Sequence, residues 1–197
     1  MPDFDTSVPH IARVYDYWLG GKDNFAADRE MGERTLQAYP NLVYSVRANR
    51  AFLARTVRFL AADLGIRQFL DIGTGIPTAD NTHEVAQRIA PASRIVYVDH
   101  DPVVLAHAKA LLTSTPEGAT AYLDADLRDP AAILAAAADT LDFGQPVAVM
   151  LIAVMHFVGD DAQASGIISR LADTCAPGSL VVISHAASDI EIGRAHV

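Results

Sequence analysis

The sequence is short of cysteine, of positive charge and of long hydrophobic stretches, and each shortage excludes a class of protein. Cys175 is the one cysteine among 197 residues, so the chain cannot form an internal disulfide. No group of cysteines and histidines has the spacing of a zinc site. No apolar stretch approaches the ~20 residues that a membrane-spanning helix needs. We therefore expect neither a disulfide framework, nor a metal site, nor a membrane span.

The charge balance is acidic. Fifteen Lys and Arg residues stand against 24 Asp and Glu residues, which gives a formal net charge of −9. This balance argues against nonspecific binding to nucleic acid or to an anionic membrane surface. Residues 1–10 are polar and partly acidic, unlike a signal peptide. We expect a soluble, cytoplasmic protein whose partner is a small molecule, and the sequence does not indicate an oligomeric state.

With 51% hydrophobic residues, the chain can bury one sizeable core. Short apolar segments alternate along it with segments of helical spacing, which predicts a mostly parallel, doubly wound α/β sheet. The predicted strands span residues 66–72, 94–98, 119–123, 146–154 and 180–184. The predicted helices span residues 11–19, 26–38, 41–63, 82–89, 103–112, an alanine-rich stretch after 130, and 166–172.

The first predicted strand ends in the motif Asp-Ile-Gly-Thr-Gly, with Asp71 two residues before Gly73 and four before Gly75. A strand, a glycine turn and a helix in succession let the backbone approach a nucleotide-like ligand. The Asp71 carboxylate favours a ligand that carries cationic groups and repels a pyrophosphate. The motif therefore points to S-adenosylmethionine, whose sulfonium and ammonium groups are both positive. A purely structural glycine turn is the alternative.

Acidic residues also follow the second and third predicted strands. Asp99 ends the second strand at a spacing typical of a carboxylate that binds a ribose diol, and Asp101 lies close by. Asp101 is also suited to capping the helix that follows, with Pro102 at its first position. After the third strand, Asp126 can accept a hydrogen bond from the adenine amine while Leu127 packs on the ring. The alternative for Asp126 is a polar loop that caps the next helix.

The N-terminal segment crowds aromatic and charged side chains around a Gly-Gly turn. Tyr15, Tyr17 and Lys22 belong to it, and such a cluster is typical of a lid over a site. Packing on the sheet is the simpler interpretation of the neighbouring Trp18. On the next long helix Arg47 and Arg50 lie one turn apart, and we take Arg50 as a candidate to pair with a ligand carboxylate. Arg55 and Arg58 on that helix fit a solvated basic face instead.

Together these residues resemble a class I S-adenosylmethionine-dependent methyltransferase. They resemble more narrowly a bacterial family of S-adenosyl methyltransferases that was first catalogued as a domain of unknown function. The narrow match rests on the stretches 13–25 (RVYDYWLGGKDNF), 47–50 (RANR), 69–83 and 96–102.

The resemblance implies a Rossmann-like fold of three α/β/α layers and S-adenosylmethionine as cofactor. It implies that Asp71, Gly73 and Gly75 contact the methionine part of the cofactor. It further implies that Asp99 binds the ribose, that Asp126 and Leu127 bind the adenine, and that the N-terminal aromatic segment closes over the site. The chain departs from the class pattern at Pro77, where the third glycine would stand.

The class sheet has seven strands, whereas this sequence ends just past its fifth predicted strand. The ending IGRAHV can be encoded by ATC GGA AGA GCA CAC GTC, the start of a common sequencing adapter. We therefore expect a fragment that lacks its last two strands and leaves the edge of the fifth exposed. We divide it into an N-terminal helical cap (1–63), a Rossmann-like cofactor-binding core (64–191) and a non-native tail (192–197).

The leading functional hypothesis is methyl transfer from S-adenosylmethionine to an unidentified small molecule. The enzyme mainly has to align a nucleophile with an already electrophilic methyl group, so a general base is optional. His156, Tyr15 and Tyr17 are the candidates for such a base, although a lone histidine beside Met and Phe more often packs or makes a loop hydrogen bond than acts as a base. The alternatives are a regulatory module that binds the cofactor without catalysis and an NAD-dependent oxidoreductase. Asp71 and Thr78 disfavour the oxidoreductase.

Overall fold

A computed structural model describes residues 5–111 and 113–186 of the chain. Within these residues one parallel sheet has the strand order β3-β2-β1-β4-β5. The strands are β1 (Gln68–Ile72), β2 (Arg94–Asp99), β3 (Ala119–Asp124), β4 (Ala148–Ile152) and β5 (Leu180–Ser184). The helices are α1 (Ile11–Leu19), α2 (Ala26–Ala38), α3 (Leu42–Ala62), α4 (Thr82–Ile89), α5 (Pro102–Leu111), α6 (Pro130–Ala137) and α7 (Asp161–Thr174). The predicted α/β fold with helices alternating with parallel strands is confirmed.

Helices cover both faces of the sheet because successive side chains of a strand point to opposite sides. In β1, Leu70 and Ile72 pack into one apolar cluster with residues of α6 and α7. Phe69 packs into a second cluster, with Leu53 and Val57 of α3 on the other face. The result is three layers, α/β/α. The boundary predicted at residue 63 remains a proposal, since α3 is itself one of the helices that cover the sheet.

The strand order places the functional edge. The chain runs from β1 outward through β2 to β3, and then returns to the other side of β1 with β4. The loops after β1 and β4 therefore diverge at the carboxyl ends of these neighbouring strands. A crevice at such a switch point is where open α/β sheets bind ligands.

The N-terminal motif is explained largely by the packing of α1 on α2. A Cβ on Gly21 would stand 1.9 Å from Asp16 Oδ1, and one on Gly32 would stand 2.6 Å from the Tyr17 ring. The indole N–H of Trp18 donates to the Gly32 carbonyl at 3.2 Å, so this contact is made with α2, whereas packing on the sheet was predicted for the residue. The buried Asp16 carboxylate accepts hydrogen bonds from the backbone of Asp23 and the side chain of Asn24. These contacts fix the course of the Gly-Gly turn.

The largest differences from the predicted element boundaries are at α7 and β4. Helix α7 begins at Asp161, five residues before the predicted start, and the Asp160 carboxylate caps it by accepting from the Gln163 N–H at 2.6 Å. The first turn of α7 is small and polar, so it carries no apolar periodicity. Strand β4 spans Ala148–Ile152, shorter than the predicted 146–154, because the backbone of Ala153 turns into a left-handed conformation with φ 54°.

The predicted tail, residues 192–197, lies outside the described residues. Among the helices of the described ranges, none is long and apolar enough to cross a membrane.

Candidate functional site

A cavity lies at the carboxyl edge of the sheet, beneath α1. It is bordered by the turn after β1, the ends of β2 and β4, the loop after β3, and residues of α1 and α3. Among its lining residues are most of those predicted from the sequence to bind a cofactor: Arg50, Asp71, Gly73, Gly75, Asp99, Asp126 and Leu127. Tyr15, a candidate base, also borders it. The alternation of strands and helices thus brings these separated residues to one cavity.

The two glycines of the turn are needed for different reasons. Both have left-handed backbones, with φ +74° at Gly73 and φ +67° at Gly75, which glycine adopts without steric cost. A Cβ on Gly73 would stand 2.4 Å from Cγ2 of Val154, so the loop after β4 presses directly on the turn. No such atom lies within 4 Å of a Cβ built on Gly75. Gly75 therefore borders open cavity space, as a backbone cradle for a ligand requires.

The Asp99 carboxylate is held in place by backbone N–H groups. Its Oδ1 accepts from the N–H of His100 at 2.8 Å and of Asp101 at 3.0 Å, and its Oδ2 accepts from the N–H of Gly75 at 2.8 Å. The side chain is 7% exposed. A carboxylate offers about four acceptor sites, and these bonds use two on Oδ1 and one on Oδ2, so Oδ2 can still accept a hydrogen bond from a ligand hydroxyl.

Asp71 is buried beside the cavity, where Thr82 Oγ1 donates to its Oδ2 at 2.6 Å. Burial raises the pKa of the Asp71 carboxyl to about 6, and the nearby Asp99 adds to the rise, whereas the Thr82 hydrogen bond and the charge of Arg50 oppose it. The guanidinium of Arg50 donates to the Ala79 carbonyl at 3.2 Å. A cation placed against Asp71 would stabilise its ionised form.

The third acid, Asp126, pairs with a neighbour that was not predicted. Its oxygens accept from the backbone N–H of Arg128 at 2.9 Å and from the Arg128 guanidinium at 3.0 Å. Burial alone would raise the pKa of Asp126, but these bonds hold it below its ordinary value. Leu127 is buried in the apolar cluster beneath the loop and borders the cavity. A ligand amine would have to share the Asp126 carboxylate with Arg128.

The Tyr15 hydroxyl both donates and accepts a hydrogen bond. It donates to the Val46 carbonyl at 3.3 Å and accepts from Asn49 Nδ2 at 3.0 Å. Burial raises the pKa of Tyr15 above its ordinary value, against the opposing effects of Asn49 and Arg50. A phenol that is protonated and already donating is unsuited to removing a proton at neutral pH.

Four of the predicted site residues do not border the cavity. The Tyr17 hydroxyl is hydrogen-bonded to Glu33 of α2, and Lys22 is exposed on the loop after α1. The His156 ring packs on Phe157 with a centroid separation of 4.3 Å and on His185 with one of 5.6 Å. Burial lowers the pKa of His156. The packing interpretation of His156 matches this arrangement.

Asp101, the fourth, serves the fold around the site. Its Oδ1 accepts from the Val103 N–H at 2.8 Å, so the capping role predicted for it at the start of α5 is what the structure shows. Its Oδ2 lies 2.6 Å from Nδ1 of His10, just before α1. This contact raises the pKa of His10, although burial opposes the rise. The pair fastens the start of α1 to the end of β2.

Several residues at the cavity had not been predicted to belong to it. His10, Asn49, His100 and Ala153 all border it. The position of Asn49, directly before Arg50 in the RANR stretch, was the available signal. Ala153 offered none, because alanine gives no sequence sign of a left-handed backbone. Among the described residues there is no group of three His, Cys, Asp or Glu side chains that could hold a metal ion.

Comparison with known proteins assigns the chain to a family. The sequence model described as S-adenosyl methyltransferase matches residues 1–196. A DUF574 family protein from Streptomyces avermitilis is 51% identical, with a TM-score of 0.92 over 96% of this chain and 74% of that one. A proposed methyltransferase from Thermobifida fusca is 46% identical, with a TM-score of 0.85 over 92% of this chain and 68% of that one. The curated proteins searched contain no match.

Proposed function

This chain belongs to the S-adenosyl methyltransferase family, and from that premise we propose that it transfers a methyl group from S-adenosylmethionine to a small-molecule acceptor. The family implies S-adenosylmethionine as the cofactor. The observation that carries the proposal is the meeting of Asp71, Asp99 and Asp126 with the glycine turn in one cavity. These groups come from the ends of three adjacent strands, β1, β2 and β3.

The residues present fit this cofactor. Asp71 supplies a carboxylate for its cationic methionine end, and Asp99 presents a fixed carboxylate whose Oδ2 can accept from a ribose hydroxyl. Leu127 offers an apolar surface to its adenine, and Asp126 an acceptor for the adenine amine. Gly75 leaves room for the backbone to approach, since a Cβ there would project into open space. The same acids would repel the pyrophosphate of NAD.

S-adenosylmethionine supplies an electrophilic methyl group on a sulfonium centre. The chain then has to hold the donor and to align the acceptor with it. Such alignment by itself contributes a large part of the rate enhancement. Ionised Asp71 offsets positive charge on the donor, and Arg50 is placed to pair with a carboxylate. The Tyr15 hydroxyl is committed to Val46 and Asn49. We therefore propose that the chain contributes alignment and not proton removal by this tyrosine.

Calorimetric titration with S-adenosylmethionine, S-adenosylhomocysteine and NAD tests the proposal. We expect binding of the two adenosyl amino acids and none of NAD, and the reverse pattern would refute the cofactor assignment. A screen of small-molecule acceptors for release of S-adenosylhomocysteine then tests catalysis. Binding without release across a screen that includes amines, phenols, thiols and carboxylates would favour the regulatory module instead.

A further inference from the structure

A continuous series of hydrogen bonds around the cavity joins β5, the turn after β4, α3 and α1. The proposed function assigns no role to these contacts. Ser184, the last residue of β5, accepts from the Ala153 N–H at its Oγ, at 2.9 Å, and donates to Asn49 Oδ1 at 2.6 Å. Asn49 in turn donates to the Tyr15 hydroxyl at 3.0 Å. The tyrosine completes the chain by donating to the Val46 carbonyl at 3.3 Å. Every donor and acceptor in this sequence of contacts has a partner.

The network begins at a strained backbone. Ala153 has φ 54°, and apart from Asp80 it is the only non-glycine residue with positive φ in the described parts of the chain. Such a conformation costs alanine on the order of 1 kcal/mol and persists only where neighbouring contacts impose it. Here the Ala153 N–H is directed at Ser184, whose carbonyl oxygen lies 3.1 Å away in addition to the hydroxyl. Ser184 is therefore what holds the turn that ends β4.

The position of this turn is transmitted to the glycine motif. Val154 follows Ala153, and its Cγ2 occupies the space where a Cβ of Gly73 would stand, 2.4 Å away. A displacement of the Ala153–Val154 backbone would move the valine against or away from the Gly73 turn. Tyr15, Asn49, Gly73, Ala153 and Val154 all border the cavity, whereas Ser184 does not.

We propose that Ser184 and Asn49 are positioning residues that, through one hydrogen-bond network, set the Ala153–Val154 turn against Gly73 and fix Tyr15 on the facing wall. The inference rests on the proposed cofactor site. It assigns a role to Ser184, which lies 135 positions from its partner Asn49. It also makes Tyr15 a member of the cavity wall instead of a base. Loss of the Ser184 hydroxyl removes the donor to Asn49 Oδ1 and leaves the Ala153 N–H with the Ser184 carbonyl as its acceptor.

A matched pair of variants isolates the Ser184 hydroxyl. Ser184→Thr and Ser184→Val add nearly the same volume and differ in the hydroxyl alone. With S-adenosylhomocysteine as the probe in titration calorimetry, we expect Ser184→Thr to bind like the parent chain and Ser184→Val to bind at least about fivefold more weakly. A thermal unfolding scan of each ligand-free variant separates loss of folded protein from loss of affinity.

A double-variant cycle tests whether the network acts as a unit. Tyr15 and Ser184 do not bond to each other, so their effects on affinity should multiply unless Asn49 couples them. We expect the Tyr15→Phe and Ser184→Val double variant to bind no more than about twofold more weakly than the worse single variant. Should Ser184→Val not fold, Asn49→Asp with Tyr15→Phe provides the second cycle, because the aspartate keeps the acceptor for Ser184 and loses the donor to Tyr15.

The outcomes separate this inference from the proposed function. If the parent chain fails to bind S-adenosylhomocysteine, the proposed cofactor site falls and this inference falls with it. If the parent binds, two results would overturn the positioning role alone. One is that Ser184→Val binds as tightly as Ser184→Thr. The other is that the losses of affinity of the single variants multiply in the double variant. Weak binding by Ser184→Val with full recovery in Ser184→Thr and a non-multiplying cycle supports it.

Discussion

The backbone N–H of Gly75 donates to Oδ2 of Asp99 at 2.8 Å, which ties the turn after β1 to the acid at the end of β2. The glycine turn and the acid, which are the two parts of the sequence motif, thus form one hydrogen-bonded unit. Asp99 simultaneously accepts from the N–H groups of His100 and Asp101. Three backbone N–H groups thus fix the orientation of this carboxylate.

Replacing Asp99 should therefore affect both folding and ligand affinity. Asp99→Ala leaves three backbone N–H groups without their acceptor, and we expect the free energy of unfolding to fall by roughly 2 kcal/mol or more. Asp99→Asn keeps one acceptor oxygen but turns an NH2 toward one of the donors, so the loss of stability should be smaller. Both variants should bind S-adenosylhomocysteine more than about tenfold more weakly. Denaturant unfolding and calorimetry measure the two effects.

Asp124→Asn is the control for this experiment. Asp124 is the register partner of Asp99 on β3, is exposed and does not border the cavity. Its substitution removes the same charge from the neighbouring strand, and affinity should stay within about twofold of the parent. An equal loss in Asp124→Asn and Asp99→Asn would mean that net charge, and not the Asp99 contact, governs binding.

Replacing Gly73 and replacing Gly75 should have different effects on stability and on ligand affinity. Gly73→Ala introduces both a left-handed alanine and an overlap with Val154, so it should destabilise the fold by more than the ~1–2 kcal/mol of the backbone conformation alone. Gly75→Ala carries only the backbone cost in the ligand-free chain, but its methyl group enters the cavity and should weaken S-adenosylhomocysteine binding. When Val154→Ala is added as a second substitution, it should restore part of the stability lost in Gly73→Ala and none of the stability lost in Gly75→Ala. Equal recovery in both would contradict the close approach of Val154 to Gly73.

The raised pKa of Asp71 predicts a pH-dependent affinity. Since the pKa of this carboxyl is about 6, it is increasingly protonated below that pH, and the ammonium group of the ligand then loses its counter-charge. Affinity for S-adenosylhomocysteine should rise by up to about tenfold per pH unit from pH 5 to 6 and level off above pH 7. Asp71→Asn should bind weakly with a flat profile. A parent profile as flat as that of the variant would remove Asp71 from contact with the ligand's charge.

Asp71 has the opposite effect on the stability of the ligand-free fold. Its folded pKa of about 6 lies above the ordinary value of 3.8, so between these values the folded chain holds a proton that the unfolded chain has lost. The free energy of unfolding should decline with rising pH across this window and stay lower above it. Denaturant unfolding of Asp71→Asn should show a shallower decline, since the amide does not titrate.

The pair His10 and Asp101 should stabilise the fold over an intermediate pH range. The folded pKa of His10 is raised by Asp101, so its contribution is complete below its ordinary value of 6.5 and is lost as pH rises through the raised value. Burial would raise the pKa of Asp101, but His10 and the Val103 N–H hold it low, so the contribution of this acid is lost only as pH falls through that lowered value. Arg13, whose Nε lies 3.9 Å from Asp101 Oδ2, favours the ionised acid as well.

We therefore expect His10→Gln to be less stable than the parent by about 0.5–1 kcal/mol at pH 6 and indistinguishable from it at pH 9. Denaturant unfolding at the two pH values measures this difference. A deficit that is equal at both pH values would show that the His10 ring acts by packing and not by its charge.

Much of the fold could be predicted because the strands are compact apolar segments, and β1, β2 and β3 end next to or at a glycine or an aspartate. Phe69, Leu70 and Ile72 needed no tertiary information to be placed in a buried strand. The acids of the cavity were equally accessible, since a residue that ends a parallel strand must lie at the carboxyl edge of the sheet. The capping role of Asp101 followed from Pro102 alone.

Most of the contacts that escaped prediction join distant parts of the chain. The bond between Asn49 and Ser184 joins α3 to β5, and no local pattern marks Ser184. The hydroxyl of Tyr17 is directed to Glu33 because Gly32 lets α1 and α2 approach closely, which a sequence shows only as one small residue in a polar helix. The contact between Arg128 and Asp126 is local, since the two residues are two positions apart. It escaped prediction because it depends on the backbone conformation of the loop.

The most direct test is a crystal structure of the chain with S-adenosylhomocysteine. We predict a single ligand along the carboxyl edge of the sheet, with its amino acid end at Asp71, its ribose hydroxyls on Asp99 and its adenine at Asp126 and Leu127. A ligand bound at another surface, or one that leaves Asp99 bonded to backbone N–H groups alone, would contradict the account.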